Sequence, residues 1–138
     1  MTKFRYEIEE VTNNTKSQRS FLRINVYGAF EREPFMDMIS QARYQAHNQM
    51  LNLLYDMRSM SLSQDISFKE LFAFASTHPM LNIKRATELR SASLLSRDML
   101  AEDIWDLYEY ASRNAGLKWM FFVEEKQALA WLASGKTI

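Results

Sequence analysis

The chain contains no cysteine, which removes disulfide frameworks, thiolate zinc sites and thiol nucleophiles together. Three glycines and two prolines in 138 residues leave few tight turns, so a meander of many short strands is disfavoured. The glycines stand at 28, 116 and 135, too scattered for a phosphate-cradling loop or a dinucleotide fingerprint. An excess of one charge is missing too: 17 Lys+Arg balance 17 Asp+Glu, whereas a duplex-binding protein needs a basic surplus. No stretch nears the roughly 20 apolar residues of a membrane span. Met1 to Glu10 mixes charged with apolar residues where an export signal would carry an apolar run. The expectation is a cytoplasmic protein with no nucleic-acid partner, cofactor or integral membrane segment. Zero net charge offers little mutual repulsion and favours self-association.

Core-forming residues are plentiful. Apolar residues make up 47% and aromatics 13%, with no linker or block of like charges, so residues 1–138 read as a single domain. Phe4, Tyr6 and Ile8 alternate with charged residues, as do Leu22, Ile24 and Val26 with polar ones up to Gly28. These are two half-buried strands joined by the polar loop Thr12 to Ser20. After Pro34 the period becomes helical through Phe35, Ile39, Ala42 and Ala46. Leu51 to Met57 is a short apolar run that suits a strand buried on both faces.

Ser67 and Glu70 form a capping box, with Ile66 and Leu71 as a hydrophobic staple, and Pro79 closes that helix. Leu89 to Leu95 reads as a strand, Asp98 to Ala115 as a long helix ending at Gly116, Leu117 to Val123 as a strand and Glu124 to Ala133 as a helix. The order ββαβαβαβα predicts an α/β fold: a mostly parallel five-stranded sheet whose first strand is an antiparallel edge.

Catalytic and metal-binding constellations are not recognisable. His47 and His78 fit no ligand spacing, and no nucleophile elbow occurs. Asp56, with Arg58 just beyond, stands at the carboxyl end of a central strand, where α/β folds place ligands. Its carboxylate could orient a ligand, or bind Arg58, Arg90 or a loop amide. On the long helix Glu102, Asp106 and Glu109 share one face, while Trp105 and Tyr110 flank the core stripe. Phe74 is off-centre on its helix, and Tyr44 lies opposite the core face of the first. Lys84, Arg85, Arg90 and Arg97 make a basic cluster of opposite sign. Phe74, Trp105 and Tyr110 with the acidic face form a candidate protein interface, or the mouth of an apolar pocket.

Two stretches carry a family resemblance. Leu53-Leu54-Tyr55-Asp56-Met57-Arg58 is like a strand ending in Asp-Leu-Arg. Phe121-Phe122-Val123-Glu124-Glu125, followed by Ala128-Leu129-Ala130-Trp131-Leu132, is like a Phe-bearing strand leading into an Ala-Trp-Leu helix. With its element order, the chain resembles the SpoIIAA-like, or STAS, fold of anti-sigma-factor antagonists, related to lipid-binding Sec14-type domains. Closer still, it is similar to the small single-domain STAS-like proteins of bacteria that mostly lack an assigned function. The antagonists' phosphorylated Asp-Ser-Ser-Gly motif falls on Asp65-Ile66-Ser67-Phe68, which makes Ser67 the matching phospho-switch position. Ile66 and Phe68 depart from that motif, and an ordinary N-cap also accounts for Ser67.

The resemblance implies a non-enzymatic interaction or regulatory module, self-associating as a homodimer or binding a protein partner. The alternative is a carrier of a lipid or other apolar small molecule, as in the Sec14-type relatives, its pocket lined from nine Met and nine Phe.

Overall fold

The computed structural model describes residues 3–12, 20–61, 89–97 and 118–134. Within them the chain forms β1 (Arg5–Val11), β2 (Phe21–Ala29), α1 (Arg32–Gln49), β3 (Asn52–Ser61), β4 (Arg90–Leu94), β5 (Lys118–Phe122) and α2 (Glu125–Ser134). The helices expected from Ser67 and across Asp98 to Ala115 lie outside the described residues.

The strands lie side by side in chain order, β1-β2-β3-β4-β5. β1 runs antiparallel to β2, from Arg5 opposite Tyr27 to Val11 opposite Phe21. The other three pairings are parallel, so the expected mixed sheet with one antiparallel edge is what the chain forms. Strand alternation divides the core between the two faces of the sheet. Leu22, Ile24 and Val26 of β2 and Leu53, Tyr55 and Met57 of β3 pack with Phe35, Met38, Ile39, Ala42 and Ala46 of α1. Phe21, Leu54, Ala92 and Leu94 face the other way, beneath Ala128 and Leu132 of α2. Leu53, Leu54 and Tyr55 are consecutive and all buried, because β3 is covered on both faces.

The register between β2 and β3 slips by one residue: Asn25 faces Asp56, but Tyr27 faces Ser59. The extra residue in β3 makes a bulge. It lets Met57 and Met60, three residues apart, both bury, and it leaves Arg58 and Ser59 together on the exposed side. Apolar alternation therefore breaks after Met57, although the strand continues to Ser61.

Gly28, near the end of β2, has φ of +89°. A Cβ there would overlap the Lys3 carbonyl oxygen, so both conformation and space require glycine. α1 starts at Arg32, two residues before Pro34, which the first turn tolerates because its amides have no helical acceptor. It ends without glycine: Met50 takes the left-handed conformation at φ 58°, and the Leu51 N–H donates to the Ala46 carbonyl at 3.1 Å.

Candidate functional site

On the α2 side, alternation directs Arg23 and Asn25 of β2, and Asp56 and Arg58 of β3, to the same face. Asp56 is the last residue of β3 paired with β4, opposite Leu94, and α2 begins nearby with Glu125. The Asp56 carboxylate accepts from Arg58 Nε at 2.9 Å on Oδ1 and from Arg58 Nη2 at 2.8 Å on Oδ2, a side-on bidentate pair. The Arg58 backbone N–H adds a bond to Oδ1 at 3.2 Å, and Arg23 Nη2 donates to Oδ2 at 2.7 Å. Both guanidiniums also reach Glu125 Oε1, Arg23 at 3.0 Å and Arg58 at 3.2 Å. Arg23 Nε donates to Asn25 Oδ1 at 2.9 Å, and Asn25 Nδ2 in turn to Glu9 at 3.4 Å.

Two cations and two anions thus close a neutral clasp over β2, β3 and the start of α2. Burial would raise the Asp56 pKa, but the Arg58 hydrogen bonds and the charges of Arg58 and Arg23 outweigh it and hold the carboxyl below its ordinary value. Burial likewise opposes the charge on Arg23, yet Glu125 and Asp56 raise its pKa. The hydrogen bond to Asp56 raises that of Arg58. A carboxylate so engaged is a weak proton acceptor at neutral pH.

Asp56 and Arg58, marked by the sequence as a strand-end pair, are therefore brought together as partners of each other. Arg90 goes elsewhere: its Nη1 donates to the Trp131 carbonyl at 2.9 Å, and its guanidinium lies over the Trp131 ring at the end of α2. Arg23 and Glu125 were not foreseen. Alternation places Arg23 outward, but no local signal ties it to an acid 33 residues later or to one 102 residues later. Tyr44 is exposed on α1, as its helical position predicts. Ser67, Phe74, Glu102, Trp105, Asp106, Glu109 and Tyr110 lie outside the described residues, as do Lys84 and Arg85.

A second polar group sits on the opposite face, inside the α1-side core. Tyr55 of β3 and Ser93 of β4 are register neighbours, both fully buried. Trp119 of β5 donates its Nε1–H to Ser93 Oγ at 2.6 Å and lies 5.8 Å from the Tyr55 ring, centre to centre. Arg43 of α1 places its guanidinium 5.0 Å from the Trp119 ring centre. The Tyr55 hydroxyl has no hydrogen-bond partner. Burial pushes its pKa up to about 12, and Arg43 acts against that shift without completing a bond of good geometry.

Among the described residues, no three His, Asp or Glu side chains gather as metal ligands. Nor is any described helix long and apolar enough to cross a membrane.

No family model matches the chain, and no curated protein matches it in sequence. Among solved structures it is similar to that of an uncharacterised DUF3478-family protein with a SpoIIAA-like fold from Shewanella loihica PV-4. The two share 17% identity over 96% of this chain and 97% of that one, with a TM-score of 0.53. At that identity the likeness is one of fold, and the chain has the SpoIIAA-like α/β fold that its element order predicts.

Proposed function

We propose that the protein is a non-enzymatic interaction module that self-associates in the cytosol. The observation that carries this reading is the clasp at Asp56. Asp56, at the strand end where open α/β sheets recruit ligands, has its oxygens occupied by Arg58 and Arg23 and is held ionised. Its neighbours Arg23, Arg58 and Glu125 satisfy one another, so none of these four groups is left as a base or an unpaired cation. A sheet stabilised in this way serves as a scaffold for the surfaces around it. The sequence spacing of Phe74, Trp105 and Tyr110, with the acidic Glu102, Asp106 and Glu109, nominates the contact.

Native mass spectrometry across a concentration series tests this. Self-association predicts a dimer that grows with concentration and is lost in Trp105→Ala. A protein that stays monomeric at high concentration counts against the module. A second reading, a carrier of an apolar small molecule, draws on the polar atoms buried without partners between α1 and the sheet.

A further inference from the structure

The α1-side core holds a cation that no carboxylate neutralises among the described residues. Arg43 is only 5% exposed, and a guanidinium stays charged when buried. The Trp119 ring supplies it with a π face, which returns only part of the hydration it has lost. Beside it the Tyr55 hydroxyl, buried and unpartnered, has a hydrogen to donate. Ser93, adjacent in register, accepts from Trp119 and so keeps its own O–H available. One helical turn beyond Arg43, His47 also buries an unpartnered Nδ1. Buried polar groups in native proteins are as a rule satisfied, so the orphaned Tyr55 hydroxyl beside this cation calls for a partner.

We propose that Arg43, Tyr55 and Ser93 form the binding site for the carboxylate of a small amphiphilic acid. One guanidinium balances one negative charge, which fits a carboxylate better than a doubly charged phosphate ester. The planar fork of Arg43 matches two carboxylate oxygens, and the hydroxyls on β3 and β4 supply further donors. The surrounding core cluster, including Met38, Ile39, Met57 and Leu95, is apolar and suits a hydrocarbon or aromatic body. Its unbranched thioether side chains can repack around a guest. The apolar body rests on the carrier reading; the carboxylate clamp goes beyond it.

Calorimetric titration of the whole protein with decanoate, 1-decanol and inorganic phosphate, each below its aggregation limit, tests the site. Arg43→Met and Tyr55→Phe are measured alongside, with thermal melts of the unliganded proteins as a check on folding. Decanoate should bind with one-to-one stoichiometry and decanol about tenfold more weakly or worse. Arg43→Met should lose about tenfold or more in decanoate affinity while binding decanol as the parent does. Tyr55→Phe should bind decanoate a few-fold more weakly and should not melt below the parent, since it removes an unsatisfied hydroxyl. Equal binding of decanoate and decanol, unchanged by Arg43→Met, would overturn the clamp and leave the carrier reading standing. Phosphate binding as tight as that of decanoate would overturn the amphiphile. Failure of all three to bind would overturn both ideas.

Discussion

Asp56 gathers four hydrogen bonds, three from Arg58 and one from Arg23, and this sets how its replacement should be felt. Its side chain and that of Arg23 are each 17% exposed, whereas Arg58 and Glu125 are near 40%. Solvent and salt screen the outer arm far more than the inner one. Asp56→Asn should therefore cost about 1–3 kcal/mol in urea unfolding, because it leaves two guanidiniums short of charge. Glu125→Gln should cost less than about 1 kcal/mol; equal losses would place the weight of the clasp on α2 instead.

The pH dependence follows from the depressed pKa. The unfolded chain binds the Asp56 proton at the ordinary value of 3.8, the folded one only at lower pH. The stabilisation is thus complete above that value and is lost as pH falls through the folded pKa. Asp56→Asn should flatten this acid limb of the stability curve. The sequence pointed to Asp56, with Arg58 just beyond it, because the carboxyl end of a central strand is where α/β folds place ligands. Arg23 and Glu125 escaped it because their meeting depends on sheet order and on where α2 starts, which no local spacing encodes.

Among the elements, α1 and β3 depart most from their sequence signals, and each departure has a local cause. α1 closes through Met50 in a left-handed conformation that costs a side chain about 1 kcal/mol relative to glycine. Met50→Gly should raise stability by about 0.5–1 kcal/mol in chemical denaturation. No gain would mean that the Met50 side chain's contacts are worth as much as the strain. Gly28→Ala in β2 should do the opposite, costing about 2 kcal/mol or more, since both φ and the Lys3 carbonyl oppose a Cβ. Gly28 was legible as the close of a strand. The β3 extension was not, because the bulge turns a spacing of two into a spacing of three between Met57 and Met60.

For the whole molecule, the succession of strands along the chain and the antiparallel edge were legible, because the switch from period 2 to period 3.6 and back marks each crossover; their lateral order was not. That α1 and α2 lie on opposite faces was not; it emerges from the division of the two core clusters. β3 is paired on both sides and covered on both faces, so the amides of Leu53 to Asp56 should exchange most slowly of the described residues. β1 should exchange fastest among the strands, and hydrogen exchange followed by NMR reads both. Sheet order that copies chain order also has a bearing on biosynthesis. A ribosome delivers each strand beside a neighbour already made, so pairing can begin while the chain is still emerging. The greasy patch of Phe21, Leu54, Ala92 and Leu94 must nevertheless wait for α2, and Arg23, Asp56 and Arg58 must wait for Glu125. The nascent protein therefore passes through a period when this apolar patch lacks its α2 cover, and this is the stage at which a holding chaperone would matter most.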